Sequence, residues 1–423
     1  MQVLKEKNLL LITIAQSISL FGDRLNNMAL LGIIGSYYAQ STLAFSGLAI
    51  FIALPSILFS PISGIIADSF NRKKLMIIIE ILRAIIVFSI PFVFLNFKNI
   101  LLIYFMIFLL YSLTLPFNNA KMASIPQMSN NIYTANALLN ITGRLSIAIG
   151  ILFGGILVDL YIWKRLGLEG WQVAFYIDAL TYLISAFLIL FITMDNSKNY
   201  KHIEIAEIIE KERGFLKNLW NEFLFGIKYV LNDAHLSLIF KFLILTMLII
   251  SLGYNIYLPY FQQSLGFGTK GIGLIGGSLG IGFLCGSILF PILALKFKEF
   301  RLIFFSHFFL PILFIISLFV KNLMLLLILF FIGGFVLSPL LISYDTSLQK
   351  FSDDNIRGRL FSFKEFLWSF SFLAFVFLFG IIGEFLKVFI SFEDVIKIII
   401  ISVSIVVVVL NFLIFKHQLP YPK

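Results

Sequence analysis

The sequence predicts an all-α polytopic membrane protein with twelve transmembrane helices. Of its 423 residues, 60% are hydrophobic and the mean hydropathy is +1.00, whereas a soluble domain has roughly 45–50% apolar residues. The apolar residues fall in runs of about 20, the length that a helix needs to cross the hydrocarbon core of a bilayer. Most basic residues lie in alternate short connections between these runs, as the positive-inside rule requires. This composition excludes a water-soluble fold.

The twelve apolar runs follow one another along the whole chain. They are 8–38, 43–66, 75–95, 99–120, 134–160, 171–194, 236–262, 270–295, 301–319, 322–346, 358–386 and 393–415. The first run is too long for a cleaved signal and contains Asp23 and Arg24, so we interpret it as the first span. The distribution of bases predicts both termini in the cytoplasm. Low alanine with high Ile, Phe and Lys content indicates an AT-rich bacterial genome, so we expect the protein in a bacterial cytoplasmic (inner) membrane.

The longest polar segment divides the chain into two sets of six spans. We predict an N-terminal bundle over 1–195, a cytoplasmic linker over 196–235 and a C-terminal bundle over 236–423. Four apolar residues of the linker are three or four positions apart, namely Leu216, Leu219, Phe223 and Ile227. That spacing predicts an amphipathic helix on the inner membrane surface, although a solvated linker without structure stays open.

The short connection between the second and third spans has a distinctive order of residues. The order is Gly64, Asp68, Arg72 and Lys73. It resembles the loop signature of the major facilitator superfamily, except that Ser69 and Asn71 stand where that family usually has a base and a glycine. Gly64 would allow close helix approach, Asp68 would cap a helix end or pair with a base, and Asn71 tolerates a left-handed backbone. An ordinary basic turn is the alternative interpretation.

Further segments resemble a bacterial drug-exporter branch of the superfamily, which includes macrolide efflux proteins and enterobactin exporters. They are SLFGDRLNNMAL (19–30), AKMASIP (120–126), TANALL (134–139), GILFGG (150–155) and IRGRLFS (356–362). The resemblance implies two six-helix bundles around a midplane cavity, alternating access, and export in exchange for protons. It also implies a conformational gate formed by Gly64, Asp68, Arg72 and Lys73.

GILFGG resembles the family's antiporter motif at Gly150, Gly154 and Gly155, but Ile151 replaces the motif's proline. Glycines at this spacing also permit close helix packing without any further role. Both interpretations stay open.

Asp23 is the acidic residue that we expect to carry the proton. It lies about 22 Å along a helix that rises 1.5 Å per residue, which places it near the bilayer midplane. A charge there costs on the order of 2.5–3.5 kcal/mol and usually serves a function. Arg144, about 15 Å into the fifth span, is the expected partner. Arg24 is a second candidate that ranks behind Arg144, because it points about 100° away from Asp23 and the two cannot both face one cavity centre. A purely structural ion pair remains an alternative.

Other polar residues in the spans are assigned to the gate or to a substrate pocket. Glu80 and Arg83 are spaced i,i+3 and are expected to form a local pair that supports Asp68. Arg359 and Glu365 are expected at an inner gate. An aromatic and amide-lined pocket for an apolar or amphipathic ligand is expected from Gln16, Asn26, Asn27, Tyr254, Asn255, Tyr257 and Asp345.

The motifs disfavour an enzyme and an ATP-driven pump. The sequence has no phosphate-binding G-x-x-x-x-G-K-[ST] loop and no histidine spacing typical of a metal site, so we expect no cofactor, no metal and no nucleic-acid partner. We predict a monomeric secondary transporter that exports a hydrophobic or amphipathic small molecule by proton antiport. A lipid or lysophospholipid flippase, a nutrient importer, and a non-transporting receptor or assembly protein are the alternatives.

Overall fold

The computed structural model of the chain describes residues 6–129, 131–193, 227–352 and 357–417, and these residues form helices and their connections without a β-strand. The helices are α1 (Lys7–Tyr37), α2 (Thr42–Ser69), α3 (Arg72–Phe97), α4 (Ile100–Met128), α5 (Ile132–Val158), α6 (Ile162–Arg165), α7 (Gly170–Leu190), α8 (Ala234–Leu252), α9 (Gly268–Lys296), α10 (Glu299–Leu318), α11 (Leu323–Phe351), α12 (Arg357–Leu386) and α13 (Phe392–His417). The predicted all-α architecture is confirmed.

Eleven candidate membrane spans are found in the described residues by length and hydropathy. They correspond to every long helix except α1, which has 31 residues and is long enough to cross a bilayer. Its hydropathy is reduced by a polar middle section that contains Asp23, Arg24, Asn26 and Asn27. This polar section is therefore the first place to look for a function.

Polar side chains fix where several helices begin. Asn71 precedes α3 and its side-chain oxygen accepts the N–H of Lys74 at 3.1 Å, while Asp233 accepts the N–H of Leu236 at 2.8 Å before α8. Such caps satisfy backbone donors that have no partner within the helix. Asn71 has φ −59° and ψ 114°, so the expected left-handed backbone at this position is wrong. The capping role requires a non-helical residue with φ below zero.

The seventh span is an α-helix that continues as two π-helical turns. Beyond α8, the turns cover Gly253–Tyr257 and Tyr260–Ser264, and Pro259 stands between them. Proline lacks a backbone donor and so interrupts the regular α-helical ladder, and π-helical turns are often found at functional sites.

The chain forms two compact units. The first comprises Met1–Tyr37 and Phe51–Leu216, and the second comprises Tyr38–Ile50 and Lys217–Lys423. The beginning of α2 therefore groups with the second unit, and the predicted bundles 1–195 and 236–423 stay predictions. Most of the predicted linker 196–235, including its proposed amphipathic helix up to Phe223, lies outside the described residues, and the linker stays a prediction.

In the first unit, α1 packs closely against α5 and α7. A Cβ added at Gly154 of α5 would lie 3.0 Å from Met28 Cγ of α1, and one added at Gly22 of α1 would lie 2.0 Å from Thr181 Oγ1 of α7. Small residues allow such close approach of helix backbones. Apolar residues including Ile12, Met76 and Phe117 form a buried core cluster of this unit.

In the second unit, buried polar side chains connect the helices. The Thr246 hydroxyl of α8 lies 2.9 Å from His307 Nε2 of α10 and 2.7 Å from the Tyr344 hydroxyl of α11. The beginning of α2 joins this unit through Ser46, whose hydroxyl lies 3.0 Å from Asn255 Oδ1 and 3.1 Å from the Val376 carbonyl oxygen. Each buried polar group in these two clusters is thereby hydrogen-bonded, as burial requires.

The contact between α9 and α11 leads to a prediction about stability. A Cβ at Gly334 would lie 2.0 Å from the backbone oxygen of Leu279, whereas a Cβ at the adjacent Gly333 meets nothing within 4 Å. We expect Gly334→Leu to lower the thermal unfolding temperature of the detergent-solubilised protein, followed by tryptophan fluorescence, because overpacking typically costs about 1–3 kcal/mol or more. Gly333→Leu is the matched control, and equal unfolding temperatures for the two variants would contradict the packing argument.

Candidate functional site

A buried ion pair lies where the middle of α1 faces α3 and α7. Arg83 Nη2 is 2.8 Å from Asp23 Oδ1 and donates to the Tyr182 hydroxyl at 2.9 Å. The same hydroxyl donates to Asp23 Oδ1. The side chain of Arg83 is 3% exposed and that of Asp23 is 14% exposed, so Asp23 keeps limited access to the surroundings while its partner has almost none.

A second carboxylate binds the other arm of the same guanidinium. Glu80 is fully buried, and its Oε2 lies 3.5 Å from Arg83 Nη1. Its Oε1 accepts the Ser185 hydroxyl at 3.0 Å. The guanidinium carbon also lies 4.1 Å from the centre of the Tyr182 ring, a favourable cation–π geometry. Arg83 therefore binds two carboxylates, Asp23 on α1 and Glu80 on its own helix, α3.

A third carboxylate, Asp178, is buried in the same region of α7, one turn before Tyr182. Asn26 donates its amide to Asp178 Oδ2 at 3.0 Å, and the Thr181 hydroxyl lies 3.3 Å from Oδ1. A Cβ at Gly22 would lie 2.3 Å from that Oδ1. Gly22 therefore has to be a glycine for Asp178 to lie against α1.

These groups form what we call the Asp23 cluster, namely Asp23, Glu80, Arg83, Asp178 and Tyr182. Asp23 and Glu80 bind the same guanidinium, whereas Asp178 is bound by Asn26 and Thr181. Like charges in a dry interior cannot all remain ionised at low cost. Lys121 of α4 is also buried, but its ammonium binds Asn118 Oδ1 at 3.0 Å and lies over the ring of Phe117. The cluster therefore contains more carboxylates than its one guanidinium can neutralise.

The partner of Asp23 differs from the one expected. The sequence analysis assigned this role to Arg144, but the structure pairs Asp23 with Arg83 and places Arg144 at an exposed position of α5. The reason is helix rotation: Gly143 faces Gln16 and Leu20 of α1, and the next residue points about 100° away. Arg24 is half-buried on another face of α1 than Asp23.

The basic residues at the beginning of α3 bind backbone oxygens of the first unit. Arg72 Nη1 donates to the Ala123 carbonyl oxygen at 2.6 Å, and Lys73 Nζ donates to the Leu190 carbonyl oxygen at 2.7 Å. Leu190 is the last residue of α7, where carbonyl groups lack partners within the helix. In this structure, therefore, Arg72 connects α3 to α4, and Lys73 connects α3 to the end of α7.

Other residues assigned to the gate lie in different surroundings. Glu80 and Arg83 form the expected pair, but within the Asp23 cluster rather than as a support for Asp68. Glu365 is exposed and lies 2.9 Å from Lys364. The side chains of Gly64, Asp68 and Arg359 lie outside the described residues, and their roles stay predictions.

Several residues assigned to a substrate pocket instead form hydrogen bonds between helices. In the first unit, Gln16 donates to the Leu139 carbonyl oxygen at 3.1 Å, Asn26 binds Asp178, and Asn27 accepts the Tyr111 hydroxyl at 3.0 Å. Gln16 and Asn26 are buried. In this structure these two amides therefore face protein rather than an open pocket.

The pocket residues of the second unit divide into buried and accessible groups. Asn255 donates to the Val376 carbonyl oxygen at 2.9 Å, and the Tyr257 hydroxyl donates to the Phe314 carbonyl oxygen at 2.6 Å. Tyr254 is half-buried. Asp345 Oδ1 accepts Lys364 Nζ at 2.6 Å, and its side chain is 51% exposed. Of this set, Asp345 and Tyr254 are the accessible side chains.

The glycines of the GILFGG segment lie in the contact between α5 and α1. A Cβ at Gly150 would lie 2.7 Å from Arg24 Cβ, and Gly154 faces Met28 and Leu25. Gly155 is buried in the same helix. These positions match the packing interpretation of the motif, while its link to antiport stays a prediction.

Sequence reasoning missed the contribution of α7 to the site. Asp178, Thr181, Tyr182 and Ser185 are three or four positions apart and so share one helix face. A polar face on an otherwise apolar span was a usable signal. No group of three potential metal-binding side chains occurs among the residues that the structure describes.

Comparison with known proteins decides the family. A family model for the Major Facilitator Superfamily matches residues 12–376. The chain belongs to this superfamily. A crystal structure of a bacterial homologue of the human lysosomal transporter Spinster, in an inward-facing and unoccupied conformation, has 14% sequence identity, a TM-score of 0.69 and 98% coverage of both chains. The predicted superfamily and its polytopic fold are confirmed, and members of this superfamily are generally non-enzymatic transporters.

Two curated relatives from Bacillus subtilis are more similar in sequence. The uncharacterized transporter YfiS is 30% identical over 193 residues, which is 45% of this chain and 43% of YfiS. BacE, whose name describes a bacilysin exporter, is 25% identical over 274 residues, which is 65% of this chain and 63% of BacE. The chain thus matches less than two thirds of either relative. The macrolide-efflux and enterobactin-exporter branch stays a prediction, as does the orientation of the termini.

Proposed function

We propose that this transporter exports a hydrophobic or amphipathic small molecule, such as a drug, a macrolide-like compound or a siderophore, in exchange for protons. The observation that carries the proposal is the Asp23 cluster, in which Asp23 and Glu80 share one buried guanidinium in the middle of membrane helices and a third buried carboxylate, Asp178, lies on α7. Such a cluster is costly in a bilayer and is usually retained for function. The partial similarity to BacE supports export as the direction of transport.

The geometry suggests how a proton would change the contacts between helices. Arg83 links α1 to α3 through Asp23, and it retains Glu80 when Asp23 is neutral. Protonation of Asp23 would therefore weaken an interhelical ion pair without leaving the buried guanidinium uncompensated. A buried cation without a counter-charge would be strongly unfavourable, so Glu80 makes the exchange energetically accessible.

The loop from Gly64 to Lys74 is proposed as the conformational gate of an alternating-access cycle. Asp68→Ala is expected to slow substrate transport, because it removes the acid that would pair with bases when the gate closes. Asp159→Ala, an exposed acid at the end of α5, is the control. Transport at the wild-type rate by Asp68→Ala, measured in liposomes, would count against a gate in this loop.

The function is tested with purified protein in liposomes that contain a pH-sensitive dye. A pH gradient is imposed, and a panel of amphipathic drugs and siderophores is added. We expect at least one compound to evoke proton flux above that of protein-free liposomes. If no compound does so and the protein instead changes the sidedness of labelled lipids, the flippase alternative replaces antiport. Uptake without proton exchange would favour a nutrient importer, and no movement of any kind would favour a receptor.

A further inference from the structure

Arg24 is a charged residue of α1 that does not belong to the Asp23 cluster. It follows Asp23 directly, but its side chain points about 100° away from that residue. Its Nε is buried and has no hydrogen-bond partner. No ion pair joins Arg24 to an acid in the described part of the chain.

An arginine without a counter-charge is energetically unfavourable at the depth of Arg24 in the membrane. At 1.5 Å per residue it lies about 25 Å from Lys7 and about 20 Å from Tyr37 along α1, farther than an arginine side chain can extend toward either end. Charged groups at such depth face a cavity or pair with another group. The guanidinium therefore requires an anionic partner that the described side chains do not supply.

A groove between α1 and α5 approaches the same position. Its volume is about 350 Å³, and its walls include Ser17 and Phe21 of α1 and Ser146 and Ile149 of α5. All of its lining residues are apolar or carry only a hydroxyl. Ser17 and Ser146 make no hydrogen bond within the described residues, so both hydroxyls are available. The volume lies at the lower end of the range for sites that bind drug-sized molecules.

Arg24 continues the face of α1 that lines this groove, about one turn beyond Phe21. Ser17, Phe21 and Arg24 are four and three positions apart, so they follow one face of α1. On α5, Ile149 is followed by Gly150, where an added Cβ would lie 2.7 Å from Arg24 Cβ and 2.8 Å from the Phe21 carbonyl oxygen. Because Gly150 has no side chain, α5 leaves space for Arg24 beside the groove.

We propose that the groove and Arg24 together bind a small amphipathic organic anion, with its acidic group on the guanidinium and its apolar body between Phe21 and Ile149. This assignment rests on the proposed transport function and narrows its substrate class. Arginine suits a carboxylate or sulfonate because its planar donors bind two oxygens at once. The neighbouring Asp23 does not oppose an anion here, because Arg83 and Tyr182 hold it on another face of α1.

The test measures binding, so that it needs no proton gradient. Full-length protein in nanodiscs of zwitterionic lipid is titrated with 1-anilinonaphthalene-8-sulfonate, and the fluorescence of empty nanodiscs is subtracted. N-phenyl-1-naphthylamine, which has the same rings without the sulfonate, is the neutral control probe. We expect saturable binding of the sulfonate, weakened about tenfold or more by Arg24→Gln, a loss that corresponds to about 1.4 kcal/mol. Arg24→Lys should retain most of the affinity.

Two further variants make the result specific. Ile149→Trp fills the groove and is expected to weaken both probes, whereas Arg24→Gln should leave the neutral probe unchanged. Arg165→Gln removes an arginine from the exposed α6 and should affect neither. Equal sulfonate binding by wild type and Arg24→Gln, or no saturable binding by wild type, would overturn the site.

A lipid occupant gives a different result from a small molecule. If nanodiscs of anionic phosphatidylglycerol abolish sulfonate binding by wild type in the way that Arg24→Gln does, the groove holds a lipid headgroup and the small-molecule assignment is wrong. If the binding test fails, substrate-evoked proton flux can still be observed with a compound that binds elsewhere. If no proton flux is found, anion binding at Arg24 can still be measured. The two proposals can therefore fail separately.

Discussion

Asp23→Asn is expected to reduce substrate-evoked proton flux to the level of protein-free liposomes. The asparagine retains an oxygen that can accept from Arg83 and Tyr182, so the side-chain contacts of the Asp23 cluster can persist. It cannot bind and release a proton in the range where a carboxyl group does. Insertion and folding should therefore remain while coupling is lost.

Asp159→Asn is the matched control for this experiment, because it makes the same chemical change at an exposed position of the first unit. Its proton flux should equal that of wild type. Both variants are compared at equal amounts of correctly inserted protein, measured by protease protection. Wild-type flux from inserted Asp23→Asn would assign the proton to another group, with Asp178 and Glu80 as the next candidates.

Arg83→Gln is expected to be the most destabilising single change in the Asp23 cluster. It leaves Asp23 and Glu80 without their shared counter-charge, and removal of one partner from a buried ion pair typically costs about 3–5 kcal/mol. We expect a clear fall in the thermal unfolding temperature at pH 8. The fall should be smaller at pH 5, because carboxylates that have lost their counter-charge become neutral by binding protons.

A second substitution tests whether the lost stability comes from uncompensated charge or from the changed shape of the side chain. Adding Glu80→Gln to Arg83→Gln removes one uncompensated acid and is expected to restore part of the lost stability. Arg165→Gln is the control for loss of an arginine. If Arg83→Gln unfolds at the wild-type temperature at both pH values, the buried ion pair does not stabilise the protein. The proposal that Arg83 is the shared counter-charge of Asp23 and Glu80 is then wrong.

The site shows how far sequence reasoning extends in a membrane protein. The depth of Asp23 followed from its position in the first span, because helical rise is constant. The sequence did not identify the residue that pairs with Asp23. Arg83 and Arg144 both belong to neighbouring spans, and only the rotation of each helix about its axis decides which of them faces Asp23. The same limit applies to Gln16 and Asn255, whose polarity suggested a pocket although their amides bond to neighbouring helices.

The sequence by itself determined that this chain is an all-α membrane protein of the Major Facilitator Superfamily, and that its first span carries charged groups at the depth of the membrane centre. These properties depend on composition, run length and motif order, which are local. The three-dimensional structure was needed to show that Arg83 lies between Asp23 and Glu80, that Asp178 packs against Gly22, and that Gly150 packs against Arg24. Such contacts depend on how each helix is rotated against its neighbours, and that rotation is set by packing over the whole unit.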